Sequence, residues 1–237
     1  MKEIFKYFVI VSFVVLALSS PAGAEVIVDD SIALSKSSHM LTVKTMGMFF
    51  PMGGELVEFF VDDVPIGKNL SGGDGRAFKE FTPGHRGLYR ISAVSGKERG
   101  SGLLLVLDKG EGIVFIDIEG SLSGGVFPMK PGKWSRESIK RISERFPLIY
   151  LKSTMLESGF LKDWLKKYDF EDAPVLDWRG GDVFEDVTGY GLKIRAVIGA
   201  PSVIESAEGY TSELFSFDGL KGPEDISGWD QLDEKIR

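Results

Sequence analysis

The pattern of apolar and polar residues changes near residue 110. From Glu25 to Leu107, short apolar segments are bounded by Gly, Pro, Asp or Asn, and no helical period of useful length occurs. In Leu88–Val94 the odd-numbered positions are apolar or aromatic, which predicts a strand that is covered on one face. This half is predicted to be a β-sandwich. Its clearest strands are Leu56–Val61, Arg76–Phe81, Leu88–Val94 and Gly102–Leu107.

From Gly112 onward, continuous apolar segments alternate with amphipathic ones. The amphipathic segments predict helices at Ser135–Phe146, starting at a capping serine, and at Ser158–Tyr168. Strand and helix in alternation imply right-handed crossovers and a parallel sheet covered on both faces. The predicted strands are Ile113–Ile116, Leu148–Leu151, Ala173–Leu176, Leu192–Ile198 and Glu213–Phe217. The fold class is therefore α/β plus all-β.

The first 24 residues have the pattern of a cleaved secretory signal peptide. Two lysines precede an apolar run from Tyr7 to Leu18, and the small residues Ala22-Gly23-Ala24 come before Glu25. A run of about 12 residues at 1.5 Å each spans about 18 Å, whereas the hydrocarbon layer is about 30 Å thick, so cleavage is favoured over a membrane anchor. We expect a periplasmic or secreted protein with no integral membrane span after cleavage.

Four parts follow from these patterns. We predict the signal peptide at 1–24, the β-sandwich at 25–108, the α/β domain at 109–221 and a C-terminal extension at 222–237. The polar, glycine-rich segment Asp108–Gly112 marks the main boundary, and Trp229 is the expected anchor of the extension.

Composition narrows the classes of partner. The chain has no cysteine, so neither a lipoprotein anchor nor disulfides can stabilise it. Its formal net charge is −7, and loss of the two lysines and one glutamate in residues 1–24 would make it −8. An acidic protein is a poor candidate for binding nucleic acid or anionic lipid.

Candidate chemistry lies directly after the strand Ile113–Ile116. Ligand sites in open parallel sheets lie beyond the carboxyl ends of the strands, and there the chain carries Asp117, Glu119 and Gly120. One carboxylate could attack as a nucleophile while the other exchanges a proton with the leaving group, and the glycine could expose amides to a phosphate. A strand that ends in a polar turn would have the same residues.

The segment Ile113–Leu122 resembles the first motif of the haloacid dehalogenase superfamily, in which an apolar strand is followed by Asp, any residue, Asp, Gly, Thr and Leu. The likeness runs from Gly112 to Phe217 and is closest to the lipin-like phosphatase branch. The preceding half is similar to bacterial immunoglobulin-like domains over Val61–Gly67, Asp74–Phe78 and Thr82–Ile91. These resemblances imply an immunoglobulin-like sandwich followed by a HAD-like, Rossmannoid parallel α/β domain.

The superfamily resemblance implies a role for each matched residue. Asp117 would form an aspartyl-phosphate, Glu119 would act as general acid and base, and both would serve a Mg²⁺ ion. Gly120 and Ser121 would contact the substrate. In the second motif, where the superfamily has a Thr or Ser that holds the phosphate, the strand ends in Lys152, followed by Ser153 and Thr154. Ser153 would contact the substrate. Lys152 would either hold phosphate or neutralise Asp117 in place of a metal.

Other positions depart from the superfamily pattern. Ala200 occupies the position of the metal-binding aspartate in the fourth motif, which makes the Mg²⁺ site doubtful. Ile204 stands where the second acid is expected, with Glu205 one residue away. Asp177 is a substitute acid, although a solvated loop is the favoured interpretation. Lys193 and Arg195, the candidates for the third-motif lysine, lie at the start of a strand.

Two functions remain open from the sequence. The first is an exported, Mg²⁺-dependent phosphohydrolase that acts on a phosphorylated small molecule or lipid. The second is a catalytically degenerate relative, a pseudoenzyme that binds a ligand or an envelope protein. For the apolar stretch Met46–Met52, core packing is favoured over contact with lipid or a partner.

Overall fold

The computed structural model of this chain describes residues 25–123, 130–217, 224–225 and 228–236. The predicted signal peptide lies outside these residues. Within the described ranges, no helix combines the length and the apolar character needed to cross a membrane.

Two sheets form a β-sandwich region. One sheet has the order β1-β3-β6 and the other the order β2-β8-β7-β4-β5. Strand β4 pairs antiparallel with β5 and β7, whereas β2 runs parallel to β8. The predicted sandwich architecture is therefore confirmed. The strands are β1 (Glu25–Val28), β2 (Ser31–Leu34), β3 (His39–Met46), β4 (Leu56–Val61), β5 (Val64–Leu70), β6 (Arg76–Phe81), β7 (Gly87–Ser95) and β8 (Glu98–Leu107).

The following strands form a parallel sheet of order β11-β10-β9-β12-β13-β14. They are β9 (Gly112–Asp117), β10 (Leu148–Lys152), β11 (Val175–Asp177), β12 (Lys193–Ile198), β13 (Leu214–Ser216) and β14 (Glu224–Asp225). The helices are α1 (Ser135–Ser143), α2 (Ser158–Lys167), α3 (Asp182–Gly189), α4 (Pro201–Ala207) and α5 (Leu232–Lys235). A π-helical turn, Ile118–Leu122, follows β9 directly.

Both faces of the parallel sheet are covered, as the sequence predicts. On β9, Val114 and Ile116 belong to one apolar cluster, which also contains residues of α1 and α2. Ile113 and Phe115 belong to the other cluster, with residues of α3 and α4. The central strand is thus buried on both sides, because alternate side chains enter opposite cores.

The chain divides into two compact units that are not consecutive segments. One contains the segment that ends at Asp29, together with Met40–Lys79 and Ile91–Gly102. The other contains Asp30–His39, Glu80–Arg90 and Leu103–Arg237. Within this second unit, Ile32 and Leu107 share an apolar cluster with Phe115 of the parallel sheet. Part of the sandwich sequence therefore contributes to the α/β core.

The C-terminal segment is anchored more firmly than a loose extension. Trp229, Leu232 and Ile236 are buried in the cluster that contains residues of α1. The Ser138 hydroxyl donates to the Trp229 carbonyl, and Arg145 donates to the carbonyl of Ile236.

Two local predictions are wrong. Ser135 does not cap α1: Trp134 occupies the capping position with φ 66°, and the Ser135 hydroxyl donates to the Gly132 carbonyl at 2.8 Å. The loop after β3 is not core, since Met48, Phe49 and Phe50 are exposed.

Candidate functional site

Asp117 is the last residue of β9, at the carboxyl edge of the parallel sheet. Its side chain has no exposed surface. Oδ1 accepts a hydrogen bond from the Ser153 hydroxyl at 2.8 Å, and Oδ2 accepts one from the Ala200 amide at 3.1 Å. Ser153 follows β10 and Ala200 follows β12, the two neighbours of β9. One carboxylate thus joins the ends of three adjacent strands.

The electrostatics of Asp117 are set mainly by burial. Desolvation raises the pKa of the Asp117 carboxyl from its ordinary value of 3.8, and the nearby charge of Glu119 acts in the same direction. Hydrogen bonds from Ala200, Ser153 and the Gly120 amide lower the pKa, but the net direction is upward. The acid therefore keeps a proton to higher pH than an exposed aspartate does.

Glu119 lies in the π-helical turn and reaches the same loop after β10. Its Oε2 accepts a hydrogen bond from the Ser153 amide at 3.2 Å, and its Oε1 accepts one from the Thr154 hydroxyl at 2.7 Å. Asp117 and Glu119 thus hold this loop through both the backbone and the side chains. We call Asp117, Glu119, Ser153 and Thr154 the acid cluster.

Gly120 is required by a close approach of the backbone. A Cβ at this position would lie 2.1 Å from Asp117 Oδ2 and 2.6 Å from the Cβ of Ala200. Ser121 is buried, and its hydroxyl donates to the Asp117 carbonyl. The indole of Trp229 donates to the Ser121 carbonyl at 3.2 Å. The glycine therefore serves close packing, and the Ser121 hydroxyl is bonded to the backbone of the turn.

Lys152 pairs with an acid other than Asp117. Its ammonium lies 2.8 Å from Asp177 Oδ1, and Asp117 is bonded by Ser153 instead. Lys152 ends β10 and Asp177 ends β11, which pair in register. The structure thus joins the substitute acid to the lysine rather than to Asp117.

The remaining predicted positions lie away from the acid cluster. Lys193 is exposed at the start of β12, and Arg195 pairs with Glu213 at 3.1 Å. Glu205 is exposed on α4, while Ile204 is buried in the core. At the fourth-motif position, Ala200 offers its backbone N–H to Asp117, a contact that side-chain patterns do not reveal.

The donor set of the acid cluster does not fit Mg²⁺ as arranged. Within the part of the chain that the structure describes, no three or more His, Cys, Asp or Glu side chains are grouped so that they could hold a metal ion. Both carboxylate oxygens of Asp117 and both of Glu119 accept hydrogen bonds from N–H or O–H groups. Mg²⁺ requires oxygen ligands in a nearly regular octahedron.

Comparisons with known proteins return all-β domains. No protein-family model and no curated protein matches this chain. The CARDB domain of the PF1109 protein from Pyrococcus furiosus is 16% identical over 36% of this chain and 92% of its own, with a TM-score of 0.25. A fibronectin(III)-like module of Clostridium thermocellum CbhA is 15% identical over 36% of this chain and 98% of its own, with a TM-score of 0.25. The D00-D0 domain of intimin is 12% identical over 35% of this chain and 46% of its own, with a TM-score of 0.29.

The predicted membership of the haloacid dehalogenase superfamily is wrong. The structural matches are CARDB, fibronectin III-like and immunoglobulin-like domains over about 36% of the chain, and no haloacid dehalogenase or phosphatase is found among them. Only the first motif matched the superfamily closely, the second and fourth departed from its pattern, and an acid-rich turn with a glycine also ends many strands for conformational reasons. The role of the acid cluster therefore has to be argued from its geometry.

Proposed function

We propose that this chain is an exported binding protein and that its acid cluster stabilises the fold rather than catalysing hydrolysis. The observation that carries this proposal is the complete burial of Asp117, whose two oxygens accept hydrogen bonds from Ser153 and Ala200. Buried carboxylates are tolerated when their hydrogen bonds are satisfied. Here the bonds fix the loops that follow β10 and β12.

The same arrangement opposes nucleophilic use of Asp117. An attacking oxygen must come within about 3.5 Å of the electrophile in the right alignment, and both oxygens of Asp117 already face donors from the protein. The raised pKa of Asp117 also reduces the fraction of carboxylate, the form that attacks. The hydrogen bonds that both oxygens already accept fit a structural role.

The carboxyl edge of the sheet offers a surface for a protein partner. Met155, in the loop between β10 and α2, is 99% exposed. Trp134, just before α1, and Phe160, in the first turn of α2, are also exposed. Since α1 and α2 begin on the side where the strands end, the topology brings these residues to one edge. Aromatic residues and Met are enriched in the cores of protein interfaces, so an envelope protein is the partner we propose.

The first test is hydrolysis of an aryl phosphate by the whole chain, with and without Mg²⁺, beside the variant Asp117→Asn. We expect no turnover above the uncatalysed rate in any sample. Turnover that is lost in Asp117→Asn, but kept in Asp172→Asn, would overturn the structural role. Asp172 is an exposed acid and makes a suitable control.

The second test is photo-crosslinking to a protein partner. A photo-crosslinking amino acid replaces Met155 in cells that export the protein, and the control carries it at the exposed Tyr190. We expect a discrete protein adduct from position 155 that is absent from position 190. Equal yields at both positions, or no adduct from either, would contradict a binding surface at this edge.

Hydrolysis of a phosphorylated small molecule or lipid is the second candidate function. The observation in its favour is that Asp117, Glu119 and Ser153 meet at the carboxyl edge, where ligands bind in parallel sheets. Asp117 would attack phosphorus while Glu119 gives its proton to the departing alcohol, and water would then hydrolyse the aspartyl-phosphate. This route requires Ser153 to release Asp117, and turnover in the aryl phosphate assay would support it.

A further inference from the structure

The loop between β3 and β4 carries three consecutive apolar side chains on the surface. Met48 is 61% exposed, Phe49 76% and Phe50 77%. We call these three residues the apolar tip. Large apolar side chains that are exposed together mark interaction sites more often than isolated ones do. The apolar tip is therefore a candidate contact surface.

The backbone around the apolar tip is bonded within the sandwich. The Gly47 amide donates to the Phe50 carbonyl at 2.8 Å, and the Met52 amide donates to the Thr45 carbonyl at 2.9 Å. An isolated bridge joins Met46 to Pro51, which has no N–H to satisfy. Unpaired backbone groups are what makes irregular loops costly in an apolar medium. This loop has already paired several of them.

The loop that carries the apolar tip is itself uncharged. The chain has no charged side chain from Thr45 to Gly54. At the base of the loop the Ser71 hydroxyl donates to the Met52 carbonyl, and next to it the cross-strand pair Leu56 and Leu70 is exposed as well. Two further exposed apolar side chains thus lie on β4 and β5, near the base of this loop.

We propose that the apolar tip inserts into the interfacial region of a neutral, zwitterionic phospholipid bilayer. An uncharged tip on a chain of net charge −7 offers anionic headgroups no attraction, so neutral lipid fits it best. A second copy of the chain fits less well. Three side chains of this size expose roughly 400 Å², whereas a stable interface needs about 800 Å² from each partner. Apolar insertion has no such requirement for a matching surface.

The experiment uses the absence of cysteine from the chain. Met48→Cys in the whole protein gives one labelling position for a polarity-sensitive fluorophore, and Tyr190→Cys gives the control. With phosphatidylcholine vesicles we expect a blue shift and quenching by lipid-borne quenchers at position 48, independent of salt, and neither at position 190. Residues 1–24 are the same in both labelled proteins. A difference between the labels at positions 48 and 190 therefore reports on the apolar tip and not on residues 1–24.

The variant Phe49→Ser/Phe50→Ser, labelled at position 48, tests the two side chains that carry most of the exposed area. We expect its partitioning to phosphatidylcholine to fall at least about tenfold, from the loss of two buried aromatic groups. The matched control Leu88→Ser removes an exposed apolar side chain elsewhere and leaves partitioning unchanged. Unchanged thermal unfolding shows that each variant is folded.

Three results would overturn the proposal. The first is a label at position 48 that stays insensitive to phosphatidylcholine in a folded protein. The shift occurs without lipid and grows with protein concentration, which indicates that the tip packs on a second copy. Binding requires phosphatidylserine and disappears in salt, which indicates electrostatic attachment elsewhere on the chain.

Discussion

Two buried aspartates in the α/β unit offset the cost of burying a carboxylate in different ways. Asp30 directly precedes β2, and its side chain is fully buried. Its Oδ1 accepts hydrogen bonds from the Leu103 amide and the Lys162 ammonium, each at 2.7 Å, and its Oδ2 accepts one from the Val175 amide at 2.8 Å. Asp117 is equally buried, but its bonds come from amides and one hydroxyl, without a cation.

The comparison shows that a strong hydrogen-bond network can form without a recognisable sequence motif. Asp117 lies in a segment that looks catalytic, whereas Asp30 lies in an ordinary acidic turn, and both connect distant parts of the chain. Asp30 joins the residues before β2 to β8, β11 and α2, while Asp117 joins the ends of β9, β10 and β12. Without a cation, burial leaves Asp117 with a raised pKa.

The largest expected effect comes from Asp30→Asn, and Asp117→Asn is the comparison that sharpens it. Asp30→Asn must turn an NH₂ group toward an N–H or toward the Lys162 ammonium, so we expect a loss of about 3–5 kcal/mol in the free energy of unfolding. Asp117→Asn can point its oxygen at Ala200 and its NH₂ at the Ser153 oxygen. We expect a change of about 1 kcal/mol or less. Urea unfolding of both variants measures the difference.

The exposed Asp172→Asn is the control for Asp30, since its ion pair with Arg90 lies on the surface. Such a pair contributes about 0–1 kcal/mol. Equal losses in Asp30→Asn and Asp117→Asn would show that the cation makes no difference to how a buried carboxylate is tolerated here.

A smaller effect is expected from Gly120→Ala. The new Cβ would lie 2.1 Å from Asp117 Oδ2 and 2.7 Å from the Ala200 nitrogen, so the turn or the acid cluster has to move. We expect a loss of about 2–3 kcal/mol. The matched change Gly84→Ala meets no atom within 4 Å, and the difference between the two variants in urea unfolding isolates the close approach. If Gly120→Ala is as stable as Gly84→Ala, Asp117 is not held as tightly as the structure indicates.

The smallest effect is a dependence on pH that only Asp117 introduces. Because its pKa is raised on folding, the folded protein binds more protons than the unfolded chain at pH values between 3.8 and the raised pKa. The stability of the wild type relative to Asp117→Asn is therefore greatest below pH 3.8 and falls as pH rises through the raised pKa. Urea unfolding of both proteins from about pH 4 to about pH 8 measures this. A rising difference would mean that hydrogen bonding, not burial, dominates the pKa.

Much of the fold follows from local patterns in the chain. The strands Leu56–Val61 and Arg76–Phe81 have the predicted bounds, and alternation in Leu88–Val94 places Tyr89 and Ile91 inside. The helices α3 and α4 were not predicted, because they have eight and seven residues and offer little periodicity to detect. Short helices depend on the sheet beneath them more than on their own sequence.

The candidate site, like the fold, was predictable from the sequence only in part. The sequence by itself places Asp117 and Glu119 at the carboxyl end of a buried strand, because apolar runs and polar turns are local signals. Only the tertiary structure decides that Ser153 and the Ala200 amide each donate to one oxygen of Asp117, that Lys152 turns to Asp177, and that Asp30 meets Lys162 across 132 residues. These partners are set by strand order and register, which bring together groups that are far apart in the chain. A backbone N–H leaves no mark in the sequence, so no pattern of side chains could have revealed the contact that occupies Asp117.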